Sequence, residues 1–330
     1  MNERSEPGDR TTDTASSAVV AVDVGGTTIK AALVATSGPL HLERRPTARE
    51  RGYEAVLDDI EAVVGSVTAR AIASGVQVVA TAVAVPGIVD EASGVAVHSL
   101  ALGWRDLPLA ARLAERLDSP VVVRHDVRAA ARAEAALGAA AGRDDVLFVP
   151  IGTGIAATTI ASGRVLDGAT SRAGELGQVL VADGVTLEDV ASARGIAERY
   201  HAAGGQRVDV AAIADAAAAG EPLATRVWCE AVAALAAALA AAVTMVDPEL
   251  IVLGGGVARA GSALLDPLGT ELADELPWRD VPELAVAAFA DDAGVVGAAL
   301  EAWRAAGVER CGLSPAAWFA APEHATAGAE

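Results

Sequence analysis

The sequence predicts two related α/β domains facing each other across a cleft, each offering a glycine-rich hairpin to it. Three observations predict this. An apolar strand that runs into glycines occurs at residues 19–34 (VVAVDVGGTTIKAALV) and again at 146–160 (VLFVPIGTGIAATTI). Placing Asp23 over Pro150 superimposes Asp23-Val24-Gly25-Gly26-Thr27 on Pro150-Ile151-Gly152-Thr153-Gly154. The length, 330 residues, suits two domains at ~150 residues each.

The elements follow from periodicity and punctuation. Residues 1–17 are polar and read as a flexible head without an apolar signal segment. The first domain spans 18–123: strand, glycine turn and strand over 19–34, a helix over 53–73, an apolar strand over 76–85 closed by Pro86-Gly87, and a turn through Asp90 to Gly94. A helix over 107–117 and a buried strand over 121–124 complete it. The second domain spans 124–292. A helix runs over 126–137, the strand motif restarts at 146, and a polar stretch leads to Asp189. Helices then continue to about residue 242. A strand at 250–253 meets Gly254-Gly255-Gly256, a last strand covers 284–289, and a helix at 293–305 closes back on the first domain. Residues 308–330 read as a mobile tail.

Composition excludes several function classes. The net charge of -19 repels phosphate backbones and anionic lipid, and 3% aromatic residues offer few stacking platforms, so neither nucleic acid nor membrane is an expected partner. The longest apolar run, residues 231–246, is Ala-rich and shorter than a membrane span, so a buried helix and a cytoplasmic protein are expected. Cys229 and Cys311 form no CxxC pair, which removes cysteine-rich zinc sites. Lys30 is the single lysine, and no GxxxxGK[ST] segment precedes it, so a P-loop is absent. Gly254-x-Gly256 lacks the third glycine of a dinucleotide fingerprint, since Arg259 stands there.

Candidate chemistry collects at the strand ends. Glycines in a hairpin let backbone N–H groups approach phosphate, and Thr27 and Thr28 add hydroxyls. Asp23 ends a buried strand, where one carboxylate with waters suits Mg²⁺. A lone hairpin of this kind is more often plain structure; three glycine turns at strand ends favour a nucleotide. Asp126 follows the strand at 121–124 and opens a helix, which also suits an N-cap. Glu175 lies on a turn between Gly174 and Gly177. None of the five histidines has metal-ligand spacing, and only His125 adjoins a candidate site.

The ordered set Asp23-x-Gly-Gly-Thr-x-x-Lys30, Pro86-Gly-Ile-Val-Asp90, Gly103-Trp104, Asp126, Gly152-Thr-Gly154, Gly174-Glu-Leu-Gly177 and Asp247-Pro-Glu-Leu-Ile-Val-Leu-Gly-Gly-Gly-Val257 resembles the ROK family of sugar kinases, the glucokinases most. The resemblance runs from about residue 20 to 305. It implies an actin-like (ribonuclease H-like) two-domain fold with an interdomain cleft. It also implies ATP-dependent phosphorylation of a hexose, glucose to glucose 6-phosphate, with Mg²⁺ and a dimeric or tetrameric assembly. Another hexose, an N-acylated hexosamine, or a non-catalytic sugar sensor are the alternatives. By resemblance, Asp126 is the base; Pro86, Gly87, His125, Asp126, Glu175, Gln178 and Glu188 line the sugar. Asp23, through water, serves Mg²⁺. Gly25, Gly26, Thr27, Thr28 and Lys30 serve the phosphates, with either Lys or Arg accepted at position 30. Gly152, Thr153 and Gly154 form the second phosphate loop, and Gly254, Gly255 and Gly256 stand beside adenosine.

The chain departs from the family in four places. Ala101-Leu102-Gly103-Trp104 stands for Asn-Leu-x-Trp, His125-Asp126 for Asn-Asp, and Gly177-Gln178 for Gly-His. The zinc segment that follows in the family is missing, and no zinc site is expected. The residues before Asp23 are too few for the helix-turn-helix of the family's repressors.

Overall fold

The computed structural model describes residues 17–308 and 311–320. The expected flexible head, Ser17 apart, lies outside the described residues. In the first half, β1 (Ser17–Val24), β2 (Thr28–Ala35), β3 (Gly38–Pro46), α1 (Tyr53–Ala73), β4 (Gln77–Val85), β5 (Ile88–Asp90), β6 (Val95–Ser99), β7 (Trp104–Leu107), α2 (Leu109–Ala114), β8 (Val121–His125) and α3 (Asp126–Leu137) follow in order. The second half has β9 (Val146–Pro150), β10 (Thr158–Ala161), β11 (Arg164–Val165), β12 (Leu180–Ala182), β13 (Val185–Thr186), α4 (Leu187–Ala191), α5 (Ala193–Ala202), α6 (Val210–Ala218) and α7 (Pro222–Val246). It continues with β14 (Leu250–Gly254), α8 (Gly255–Ala258), α9 (Ser262–Glu275), β15 (Glu283–Val286), α10 (Ala293–Ala305) and α11 (Pro315–Phe319).

The expected internal repeat is a repeat of topology. The first sheet runs β3-β2-β1-β4-β8 and the second β11-β10-β9-β14-β15. In each, a three-strand antiparallel meander supplies its first strand to a parallel trio: β1, β4 and β8, or β9, β14 and β15. Both sheets are covered on both faces, so their central strands are largely apolar and alternate between two cores, while the edge strands carry polar residues. On β1, Ala18, Val20, Val22 and Val24 pack toward α1 and α2. Val19 and Ala21 pack toward α10, whose core also takes Phe148, Leu250 and Val252 from the second sheet. Leu147, Val149, Ile151, Ile251 and Leu253 face α4 through α9. The result is five layers, α/β/α/β/α, with α3 and α10 in the middle one.

Three expectations are corrected. The helix expected over 107–117 is cut to α2, because Trp104 and Leu107 are buried as β7 against Ser99 and Ala96, and the helix starts after Pro108. The apolar run at 231–246 belongs to a longer helix: α7 starts at Pro222, capped by Glu221 accepting from the Leu223 and Ala224 amides, and is long and apolar enough to cross a membrane. It buries Trp228, Leu235 and Leu239 against α4, α6 and α9, a core role. Finally, part of the expected mobile tail is packed. Residues 311–314 are irregular and lead into α11, with Leu313 and Trp318 buried; residues 309–310 and 321–330 lie outside the described residues.

Candidate active site

Parallel strands place ligands at their carboxyl ends. Here β1 ends at Asp23-Val24, β8 at His125 before Asp126, β9 at Pro150 before Gly152, and β14 at Gly254 before Gly255. These ends converge on one cleft of about 430 Å³ lined by Asp23, Thr28, Lys30, Asp126, Thr153 and Gly256, among others.

The first hairpin is held closed from both sides. The Gly25 amide donates to the Thr28 carbonyl at 2.9 Å, and a Cβ on Gly25 would stand 3.0 Å from that oxygen. Thr47 pins the loop, its hydroxyl donating to the Gly25 carbonyl at 2.7 Å and its amide to the Thr27 carbonyl at 2.8 Å. Behind it, a Cβ on Gly294 of α10 would stand 2.6 Å from Asp23 Oδ2. Burial pushes the Asp23 carboxyl up to about 7; Asp126 and Asp292 add to the rise and Lys30 opposes it. Lys30 Nζ donates to the Asp291 carbonyl and pairs with Asp292 Oδ1 at 3.4 Å.

Asp126 is the first residue of α3, and the capping role falls one residue earlier. His125 Nδ1 accepts from the Arg128 amide at 3.3 Å, because His125 is still extended and its ring folds back over the first turn. The neutral imidazole therefore carries its proton on Nε2, which stands 3.5 Å from Asp126 Oδ1. Burial holds this imidazole below its usual value; Arg128 adds to that, while Asp126, Glu91 and Glu175 oppose it. The His125 amide donates to Glu91 Oε1 at 3.0 Å. Arg128 and Arg132 also bind Glu91, at 2.8 and 2.9 Å, and overcome its burial to hold it below the usual carboxylate range.

The glycine loops of the second half lock together. The Ile151 amide donates to the Gly254 carbonyl at 2.9 Å, and the Gly152 amide to the Gly154 carbonyl at 2.9 Å. Gly255 has φ +76°, and a Cβ there would stand 2.5 Å from the Ile151 carbonyl, so only glycine fits.

Of the residues singled out by sequence, Asp23, Gly25, Thr27, Thr28, Lys30, Asp126, Gly152, Thr153, Gly255 and Gly256 line this cleft. Others lie behind or beside it. Gly254 is buried against Phe148, and Gly154 faces Glu188, whose Oε2 accepts from the Ile155 amide at 3.1 Å. Arg194 pairs with the other Glu188 oxygen at 3.4 Å. Gly26 packs toward Ala101, whose Cβ would be 3.7 Å from one on Gly26. Gly87 abuts His98 and Ser99, with φ +106°. Glu175 and Gln178 are exposed on one turn, Glu175 near enough to His125 for its charge to be felt there. Sequence reasoning missed Gly294, Asp291 and Asp292, which reach the hairpin from some 260 residues away; the Asp-Asp pair before a Gly-containing helix was the only local signal.

Two sheets of one topology, stacked through shared helices with their strand ends meeting in one cleft, define a two-domain phosphotransferase of the actin-like class. The chain belongs to the ROK family, whose model matches residues 19–304, and it is a sugar kinase. It is 33% identical over 305 residues to a glucokinase of Halalkalibacterium halodurans, covering 84% of this chain and 92% of that one. A bifunctional enzyme NanE/NanK of Brucella melitensis is 39% identical over 291 residues, covering 86% of this chain and 54% of that one. An N-acetylmannosamine kinase of Escherichia fergusonii is 31% identical, covering 85% and 97%. Among solved structures, a ROK family glucokinase from Streptomyces griseus in complex with glucose and AMPPNP superimposes with TM-score 0.76 at 27% identity, covering 87% and 99%.

Proposed function

We propose that this sugar kinase transfers the γ-phosphoryl group of ATP to the 6-hydroxyl of glucose, with Asp126 as the base. The observation that carries the reading is the meeting of Asp23 and Asp126, from one sheet, with the Gly152-Thr153 and Gly255-Gly256 loops of the other, in one cleft. Phosphoryl transfer needs positioning and charge neutralisation more than covalent help. The Gly25-Gly26 hairpin and the Gly152-Thr153-Gly154 loop, with the Thr27, Thr28 and Thr153 hydroxyls, hold the phosphates, and Gly255-Gly256 stand beside adenosine. Asp126 accepts the hydroxyl proton while that oxygen bonds to the γ-phosphorus and the bond to the bridging oxygen breaks, releasing ADP. The Nε2–H of His125 faces Asp126 and orients its carboxylate.

Mg²⁺ suits Asp23: it is a cleft-lining carboxylate disfavoured as an anion by burial and by two neighbouring carboxylates, which a cation relieves. When bound, Mg²⁺ neutralises charge on the phosphate oxygens. No group of three or more His, Cys, Asp or Glu among the described residues is placed to hold zinc. We assign the reaction to the cytoplasm, where ATP is supplied.

One observation favours a second acceptor. Where glucokinases have asparagine, Ala101 packs toward Gly26 and offers no hydrogen bond. One lost neutral hydrogen bond costs ~0.5–1.5 kcal/mol, about three- to tenfold in affinity. An N-acylated hexosamine would use the space instead. ADP release over a panel of hexoses and N-acetylhexosamines, for wild type and Ala101→Asn, tests the choice. Glucose as best substrate, improved by Ala101→Asn, supports the glucose reading. An N-acetylated sugar as best substrate, with glucose turnover lowered by Ala101→Asn, replaces it.

A further inference from the structure

The family match ends at residue 304, yet residues 311–320 pack back onto β3 and into the core around α10. The Gly312 amide donates to the Thr36 carbonyl at 2.6 Å, fixing the segment to the β2–β3 turn. Ser314 caps α11, its hydroxyl accepting from the Ala317 amide at 3.1 Å, and Pro315 starts the helix. Trp318 is thereby fully buried in the core around α10. Its indole Nε1–H donates to Asp292 Oδ2 at 3.2 Å. Asp292, only 4% exposed, also takes Arg44 at 3.2 Å and Lys30 at 3.4 Å, and it directly precedes α10, whose Gly294 stands against Asp23.

The same core contains a natural contrast. Trp303, equally buried, has an Nε1–H with no hydrogen-bond partner among the described residues. Trp303 contributes area alone. Trp318 contributes area and a directed donor to a buried carboxylate that pairs with Arg44 and Lys30 among the described residues, and Lys30 lines the cleft. A buried carboxylate shared among several donors is fixed in rotamer by each of them.

We propose that Trp318 is a positioning residue for the nucleotide end of the site, holding Asp292 so that Lys30 and the start of α10 keep their places beside Asp23. This rests on the cleft being the phosphoryl-transfer site. The experiment compares Trp318→Phe and Trp303→Phe in the full chain, reading the KM for MgATP, the KM for sugar, kcat and Tm. Trp318→Phe keeps an aromatic ring in the core and loses the donor; it should raise the KM for MgATP by about three- to tenfold, leaving the sugar KM unchanged. Trp303→Phe should lower Tm with both KM values unchanged. A wild-type KM for MgATP in Trp318→Phe, or the same pattern in both variants, overturns the proposal. Should Trp318→Phe fail to fold, Asp292→Asn must show the same selective rise in the KM for MgATP; if both KM values move together, the proposal fails. Asp126→Asn separates the two ideas. If it retains turnover, the reading of the cleft fails; if it loses turnover while Trp318→Phe behaves as wild type, only the positioning role fails.

Discussion

Gly294 stands against Asp23: a methyl group on it would lie 2.6 Å from Oδ2 and 2.7 Å from Cγ of the carboxylate. The contact joins the first turn of α10 to the end of the first strand, and it makes one glycine a condition for the position of one acid.

Gly294→Ala should therefore damage activity without damaging the fold. Alanine favours a helix over glycine by up to ~1 kcal/mol, so Tm should hold or rise while the displaced Asp23 lowers kcat at least about tenfold. Gly297→Ala gives the opposite signature. Its Cβ would meet the Ala129 carbonyl at 1.9 Å, where α3 and α10 cross, so Tm should fall steeply. Thermal melts and steady-state kinetics on both variants check the pair.

Asp23 should cost stability in the free protein. Burial pushes its carboxyl up to about 7 in the folded state from an ordinary value of 3.8. The folded state thus binds the proton more tightly, so the penalty is absent below pH 4, grows as pH rises, and is complete above pH 7. Asp23→Asn should melt about 2 °C or more above wild type at pH 8 without ligands, with the gap closing toward pH 5. Turnover should fall at least about a hundredfold. A lower Tm at pH 8 would contradict the electrostatic account.

His125 should act as both cap and orienting donor. Its folded value is lowered by burial, so its contribution is present above the ordinary histidine range and is lost as pH falls through 6.5 and below. His125→Asn keeps a capping oxygen and should flatten the loss of stability below pH 6.5. His125→Ala should lower stability by ~1 kcal/mol at pH 8 through loss of the cap. Urea unfolding at both pH values measures the two effects.

The sequence carried the architecture further than the site. Periodicity placed α1 at Tyr53–Ala73 and α10 at Ala293–Ala305, and the Asp23–Pro150 alignment corresponds to two sheets of one strand order. Short strands escaped it. β3 carries His41, Glu43, Arg44 and Arg45 on an edge, and β5 to β7 are three to five residues long, so neither shows a clean apolar alternation. Among the residues that line the cleft, those on strand ends and glycine turns were legible because the turn that places each of them is local in sequence. Gly294, Asp292 and Trp318 were not, because each acts on a side chain far away in sequence, and only packing brings them together. The capping position was misjudged by one residue, since His125 as well as Asp126 can cap a helix, and the choice depends on where the strand lets go.

In the proposed reaction Asp126 takes the hydroxyl proton in a cleft that binds both substrates. Kinetics of Asp126→Asn, with sugar and nucleotide binding measured by calorimetry on the same protein, test it most directly. Both ligands should still bind within a few-fold of wild type while kcat falls by ~10² or more, the range for a lost general base. Turnover within a few-fold of wild type would contradict the account.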